Sequence, residues 1–139
     1  MTTNTLSPNR VIFAADDDHD DLTLLSLLLR KAGVDYPVQL FKRGEDIVAA
    51  LAKLMENSVN SALRPVMCFL DVKLPPLDGH EVLRWMRAHS ALDSVPVVML
   101  SDSETPKDVT SAVQHGAQCY LTKYPQPAVL REVVGDAER

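Results

Sequence analysis

The chain has 139 residues, the size of one ordinary globular domain, and its 46% hydrophobic and 24% charged residues argue against a disordered or fibrous protein. With 14 basic and 19 acidic residues the formal net charge is −5, which provides no basic surface for nucleic acid or an anionic membrane. No apolar stretch approaches the ~18 residues of a membrane span, and residues 1–9 lack the features of a secretory signal. We therefore expect a cytoplasmic domain over residues 10–139, preceded by a flexible tail over residues 1–9, that binds neither DNA nor membrane.

The first half of the chain alternates apolar runs with helical patterns. Residues 11–15 form a short apolar run that ends in a cluster of aspartates, which is typical of a buried strand opening onto a polar loop. A leucine-rich stripe predicts a helix over residues 20–31, and a second strand follows over residues 36–41. Residues 44–56 predict a second amphipathic helix, and the polar residues 57–64 predict a loop or a helix extension.

The second half repeats this alternation three times. Residues 66–70 predict a third strand that runs straight into Asp71. Asp78 and Glu81 have the spacing of a capping box and predict the start of the third helix, which continues to about residue 89. The remaining elements are a strand over residues 95–100, a helix from Thr105 and Pro106 to Gly116, a strand over residues 117–122, and a short helix that opens at Pro125 or Pro127.

Five apolar strands that alternate with five helices predict an α/β fold with a parallel sheet covered on both faces. Right-handed crossovers make this a three-layer, doubly wound (βα)5 sheet. Ligands bind such sheets beyond the carboxyl ends of the strands. Four strands end there in polar residues, namely Asp16 and Asp17, Asp71, Ser101, and Lys123.

These residue types suggest metal-assisted phosphoryl transfer. If the first and third strands are neighbours, Asp16, Asp17 and Asp71 meet at one edge, and their mutual repulsion requires a cation. Hard oxygen ligands at an open site suit Mg²⁺. A carboxylate at such a site can attack a phosphoryl group, which makes Asp71 the candidate nucleophile. Lys123 and the Ser101 hydroxyl are candidates to stabilise charge on the phosphoryl oxygens.

Four segments carry a resemblance to a known family. ADDDHDD at 15–21, LDVKLPPLDG at 70–79, VPVVMLS at 95–101 and AQCYLTK at 117–123 resemble the receiver domains of two-component response regulators. The resemblance covers residues 10–137. Ser101 follows Asp71 by 30 residues (101 − 71) and Lys123 follows it by 52 (123 − 71), as that family's pattern expects.

The resemblance implies a fold and a set of residue roles. The fold is flavodoxin-like, with a five-stranded sheet of order 2-1-3-4-5. The implied roles are Mg²⁺ binding by Asp16, Asp17, Asp71 and the backbone carbonyl of Lys73, phosphoryl acceptance by Asp71, phosphate contact by Ser101 and Lys123, and a switch role for Ser101 and Tyr120.

The resemblance also implies a function. A sensor histidine kinase or a histidine phosphotransfer protein would phosphorylate Asp71, and the changed surface would bind an unknown downstream protein. The protein is then a single-domain signalling switch of the chemotaxis-regulator or phytochrome-associated type, and is an enzyme only in assisting its own phosphorylation and dephosphorylation.

The fourth and fifth helices are a candidate homodimer surface. The alternatives are a relay intermediate, a phosphate-independent pseudo-receiver and, in another class, a Mg²⁺-dependent aspartyl phosphatase.

Two features depart from the family's pattern. One is the long segment over residues 57–64, between the second helix and the third strand, and the other is the residue after Lys123. Tyr124 follows Lys123 where the family usually has proline, commonly with a cis peptide bond before it. The geometry at this bond bears directly on where Lys123 lies.

Other reactive residues have simpler interpretations. The two cysteines, Cys68 and Cys119, lie in apolar runs and are expected to be buried, reduced thiols. Solvent exposure is the default expectation for the four histidines. We expect the remaining aspartates of the first acidic run to be solvated or to cap the helix, and these are Asp18, Asp20 and Asp21.

Overall fold

The computed structural model describes residues 10–56, 64–102 and 105–138. The tail predicted over residues 1–9 lies outside the described residues, as do residues 57–63 of the polar stretch. None of the helices in the described ranges is both long enough and apolar enough to cross a membrane. In chain order the elements are β1 (Arg10–Ala15), α1 (His19–Lys31), β2 (Val38–Phe41), α2 (Gly44–Glu56), β3 (Arg64–Asp71), α3 (Gly79–Arg87), β4 (Val97–Ser101), α4 (Pro106–Gln114), β5 (Cys119–Thr122) and α5 (Pro127–Glu138).

The strands form one parallel sheet in the order β2-β1-β3-β4-β5, which confirms the predicted topology. Ala15 of β1 lies opposite Phe41 of β2 on one side and opposite Leu70 of β3 on the other. On the far side of β3, Asp71 is paired with Leu100 of β4. The chain reverses its direction of winding between β1 and β3, and ligands bind at such a reversal in doubly wound sheets.

Helices cover both faces of the sheet, and each face buries its own apolar cluster. On one face, Leu22 and Leu29 of α1 and Leu130 of α5 share a cluster with Ile12 of β1. On the other face, α2, α3 and α4 cover the sheet through Ile47, Leu51, Val82, Leu83, Met86 and Ala112. Burial of one large apolar side chain contributes ~1.5–3 kcal/mol to folding stability. The two clusters therefore stabilise the sheet that positions the loops at its edge.

Two aspartates cap the helices that follow the site strands. The Asp78 carboxylate accepts a hydrogen bond from the Glu81 N–H at 2.8 Å, and the Glu81 carboxylate accepts from the Asp78 N–H at 3.1 Å. This is the predicted capping box. Asp18 caps α1 by accepting from the N–H groups of Asp20 and Asp21. Both caps fix the direction in which the chain leaves the edge of the sheet.

Three strands, β2, β4 and β5, begin later than predicted. β4 begins at Val97, since Pro96 has no N–H to donate to the sheet. β2 begins at Val38, since Pro37 has no N–H and only its carbonyl bonds to the Ile12 N–H, at 2.9 Å. β5 begins at Cys119, since the Ala117 N–H bonds back to the Ala112 carbonyl near the end of α4, also at 2.9 Å. The carboxyl ends of β2 and β5 lie where predicted, and β4 ends one residue later, at Ser101.

The expected exposure of the histidines is wrong for His80. This residue lies in the first turn of α3 and is 9% exposed. Neither ring nitrogen has a hydrogen-bond partner in the described part of the chain, and Nε2 lies 3.6 Å from Oδ1 of Asp108 on α4.

Both cysteines are free thiols: Cys68 is buried, which raises its pKa to about 12, and Cys119 is half-buried.

Candidate functional site

The carboxyl ends of four neighbouring strands meet at one edge of the sheet. Asp16 directly follows β1, and Asp71 is the last residue of β3. Ser101 ends β4, and Lys123 directly follows β5. The Lys123 N–H donates to the Ser101 carbonyl at 2.8 Å, which joins the ends of these two strands. The fold therefore gathers at one edge the polar residues that the sequence places at strand ends.

Three carboxylates form a compact group at this edge. Asp16, Asp17 and Asp71 each offer an oxygen that lies within 4.8 Å of the other two. Asp16 and Asp71 are buried, at 5% and 6% exposure, whereas Asp17 is exposed. Like charges at this separation repel, and burial reduces the screening by water. A group of hard oxygen donors with one side open to solvent fits a divalent metal ion.

The ammonium of Lys123 lies among carboxylates. Its Nζ is 2.7 Å from Oδ2 of Asp16, 2.8 Å from Oδ2 of Asp21 and 3.4 Å from Oδ2 of Asp71, and its side chain is only 4% exposed. Burial alone lowers the pKa of Lys123, but the hydrogen bonds to Asp16 and Asp21 and the charge of Asp71 outweigh burial and raise that pKa above its ordinary value. Lys123 therefore brings a full positive charge to the acidic group.

Asp71 holds its proton more tightly than an ordinary aspartate. Burial raises the pKa of Asp71 to about 7, and the nearby charge of Asp16 acts in the same direction. The charge of Lys123 and a hydrogen bond from the Lys73 backbone oppose this rise but do not cancel it. The ionised form of Asp71 is therefore disfavoured, and a bound cation would stabilise it.

The other predicted site residues take the following places. Ser101 is buried at the end of β4. Tyr120 lies on β5 opposite Met99, is half-buried, and packs against the apolar cluster on the α2, α3 and α4 face of the sheet. Lys73 is exposed in the loop after β3. The role of its carbonyl as a metal ligand stays a prediction.

Sequence reasoning missed one residue of this site, Asp21. The expectation that Asp21 is solvated or caps the helix is wrong, because it pairs with Lys123 and its side chain is 18% exposed. Its Oδ1 also accepts a hydrogen bond from the Tyr124 hydroxyl. The peptide bond between Lys123 and Tyr124 is cis. No local pattern distinguishes Asp21 from Asp20, since the partners of Asp21 are more than 100 residues away.

The fold and the site together define a class of protein: a doubly wound α/β domain with an acidic group and a buried lysine where the strand order reverses. Residues 12–135 match the family described as response regulator receiver domain. The chain therefore belongs to the receiver-domain family of two-component systems, whose members act as signalling switches and interact with histidine kinases or phosphotransfer proteins.

Similar proteins include response regulators from cyanobacteria. Response regulator Rcp1 of Synechocystis sp. is 31% identical over 118 residues, which cover 84% of this chain and 78% of Rcp1. The crystal structure of the Mn²⁺-bound form of Rcp1 has a TM-score of 0.68 at 30% identity and covers 92% of this chain and 91% of that one. The phosphorylated cyanobacterial phytochrome response regulator RcpA has a TM-score of 0.70 at 31% identity, with coverage of 92% and 90%. The chain spans about half the length of several transcriptional regulators that it also matches.

Proposed function

We propose that this protein is a phosphoacceptor switch in which Asp71 receives a phosphoryl group in a Mg²⁺-dependent reaction. The observation that carries the proposal is the placement of Lys123. Its ammonium lies 3.4 Å from Asp71 and 2.7 Å from Asp16, inside a buried acidic group at the edge of the sheet. Transfer of an anionic group to a buried carboxylate brings negative charges together, and a fixed cation beside that carboxylate stabilises them.

Asp16, Asp17, Asp71 and the Lys73 carbonyl are the residues that would hold Mg²⁺. Their fit rests on three carboxylate oxygens within 4.8 Å and on the absence of sulfur or imidazole from that group. Mg²⁺ at this position supplies charge neutralisation for the acceptor and for the phosphoryl oxygens. The description of a solved form of Rcp1 as Mn²⁺-bound supports a divalent ion for this chain.

In the transfer, one carboxylate oxygen of Asp71 attacks phosphorus. The new bond joins that oxygen to phosphorus, and the bond from phosphorus to the donor atom breaks, with its electron pair leaving on the donor. Lys123 and the Ser101 hydroxyl offer an ammonium and a hydrogen bond to the equatorial oxygens, which carry the spreading negative charge. No general base is needed, because an ionised Asp71 has no proton to lose.

Ser101 and Tyr120 would carry the signal away from the site. Ser101 ends β4 and Tyr120 lies on the adjacent strand β5, so a hydroxyl that moves toward the phosphoryl group changes the space open to the ring. The changed surface of α4 and β5 then binds a downstream protein. The donor is a histidine kinase or a histidine phosphotransfer protein. The description of RcpA as a phytochrome response regulator supports a phytochrome-type kinase as the first donor to try.

The test is the intact mass of the protein after incubation with acetyl phosphate, with Mg²⁺ and with a chelator. We expect the wild type to gain one phosphoryl group only with Mg²⁺, and Asp71→Asn to gain none. Asp20→Asn is the matched control, since Asp20 is an exposed carboxylate of the same acidic run and should leave the adduct intact.

The outcomes separate the alternatives. An adduct that persists in Asp71→Asn would place the acceptor elsewhere. No adduct in the wild type, even with fast quenching, would favour a phosphate-independent pseudo-receiver. Rapid transfer of the phosphoryl group back to a histidine phosphotransfer protein would identify a relay intermediate.

A further inference from the structure

Asp21 holds the ammonium of Lys123 from outside the proposed metal site. Its Oδ2 lies 2.8 Å from Nζ, and its side chain is largely buried. Among the described residues, one group of three side chains has ligand atoms close enough to share an ion, namely Asp16, Asp17 and Asp71, and Asp21 is not a member of it. Asp21 is therefore a partner of the lysine that lies outside the proposed metal-binding group.

The other short contact of Lys123 is to a residue that would bind the metal ion. Oδ2 of Asp16 lies 2.7 Å from Nζ, while Oδ1 of Asp16 accepts from the Asp18 N–H at 3.0 Å. A divalent ion would attract the Asp16 carboxylate more strongly than an ammonium does, and its binding would weaken this contact. The contact to Asp21 does not compete with the metal ion. It is the contact that would still hold Lys123 if the site were loaded.

Asp21 is itself fixed in place. It lies in the first turn of α1, where its N–H bonds to the capping carboxylate of Asp18 at 3.3 Å. Its second oxygen accepts the Tyr124 hydroxyl, so one carboxylate contacts both residues that follow β5. A lysine side chain is flexible, and a reaction is slower when the group that assists it is free to move out of position. Because the Asp21 carboxylate is fixed, its hydrogen bond restricts the Lys123 ammonium to one side of the site.

We propose that Asp21 is a positioning residue for phosphoryl transfer to Asp71 and acts through Lys123. Its carboxylate accepts one ammonium proton, and it holds Nζ at a place 3.4 Å from Oδ2 of Asp71. The ammonium then stabilises the charge on the phosphoryl oxygens without first reorienting. This inference rests on the proposed function, since it assigns Asp21 a part in the reaction of Asp71.

The first test compares phosphorylation rates with acetyl phosphate at saturating Mg²⁺. We expect Asp21→Ala to slow phosphorylation about tenfold, as removal of an outer partner of a reacting group does. Asp21→Asn keeps an acceptor oxygen and should recover part of the rate. Asp20→Ala removes the same charge from the same turn and should match the wild type, because Asp20 is exposed.

The same substitution in a Lys123→Met background tells positioning from a general structural effect. If Asp21 acts through Lys123, Asp21→Ala causes no further slowing once the ammonium is gone. Slowing that persists in the Lys123→Met background, or a rate for Asp21→Ala equal to that of Asp20→Ala, would overturn the proposal.

A second measurement does not depend on phosphorylation. The ¹⁵Nζ order parameter of Lys123 reports how firmly the ammonium is held. We expect a high value in the wild type and in Asp20→Ala, and a clear drop in Asp21→Ala. An unchanged value would overturn the proposal. A wild type that takes no phosphoryl group would overturn the proposed function instead, and the order parameter would then decide by itself whether Asp21 holds the lysine.

Discussion

The ammonium nitrogen of Lys123 lies 2.7 Å from Oδ2 of Asp16, inside the carboxylate group that we propose for Mg²⁺. The lysine thus neutralises part of the charge that the metal ion would neutralise. Metal binding has to separate this pair or share Asp16 between two cations, and either event weakens the affinity for the ion. The same ammonium that would help phosphoryl transfer therefore opposes metal binding.

Removal of this ammonium should tighten Mg²⁺ binding. We expect Lys123→Met to bind Mg²⁺ about tenfold more tightly, or about 1.4 kcal/mol, while phosphorylation becomes slower. Calorimetric titration well above the pKa of Asp71 is the measurement, since Asp71 is then ionised in the wild type. Lys42→Met is the control, because Lys42 is an exposed lysine of the same charge. Equal affinities for Lys123→Met and Lys42→Met would show that the ammonium leaves Asp16 at no cost.

The raised pKa of Asp71 makes stability depend on pH in the metal-free protein. Burial and the charge of Asp16 raise the pKa from 3.8 to about 7, so between these values the folded protein keeps a proton that the unfolded chain releases. The free energy of unfolding therefore falls as the pH rises through this window and is lowest above it. Asp71→Asn is neutral at every pH and removes this dependence.

We expect the stability of Asp71→Asn relative to the wild type to rise by about 2 kcal/mol between pH ~5 and pH ~9. Urea unfolding in the presence of a chelator measures the difference. Asp35→Asn is a control at an exposed aspartate and should follow the wild type at both pH values. A gap of the same size at both pH values would mean that Asp71 does not cause it.

The strand ends of the site were predictable from sequence because each is a sharp local event. An apolar run stops at Asp16 and again at Asp71, and parallel strands bring their carboxyl ends to one edge. Hydrophobic patterning also predicts the helices, because each must bury one face against the sheet. The order of the strands then determines which of these polar strand-end residues are neighbours in space.

The roles of Asp21 and His80 were not predictable, because each depends on a distant element. Asp21 and Lys123 are 102 residues apart, and His80 and Asp108 are 28 apart (108 − 80). An aspartate in an acidic run and a histidine in a polar helix start have the pattern of solvated residues. Their burial follows from the docking of β5 and α4, which local periodicity does not describe.

The capping box at the start of α3 should contribute to stability and not to chemistry. Asp78→Ala removes the acceptor of the Glu81 N–H, and we expect a loss of about 1 kcal/mol in the free energy of unfolding. Glu81→Gln keeps a side chain that reaches the Asp78 N–H and should be close to neutral. Urea unfolding of both variants checks this, and an equal loss in both would show that charge, not the cap, is what matters.

Gly79, the first residue of α3, lies directly against the backbone of the proposed acceptor Asp71. A Cβ at Gly79 would lie 2.3 Å from the backbone oxygen of Asp71 and 2.9 Å from Cε of Met99. The Gly79 N–H also donates to the Val72 carbonyl at 2.8 Å, so the helix start and the loop after β3 are held together. A methyl group here meets backbone that cannot move without displacing Asp71.

We expect Gly79→Ala to destabilise the protein by about 3 kcal/mol and to slow phosphorylation, since the clash pushes on the acceptor itself. Gly135→Ala is the matched control, because a Cβ at Gly135 meets no atom within 4 Å and the residue lies inside α5. This control should gain about 0.5–1 kcal/mol from higher helix propensity. Urea unfolding and acetyl phosphate kinetics of both variants are the measurements. If Gly79→Ala is as stable and as reactive as the wild type, α3 and the loop after β3 separate more easily than their contacts indicate.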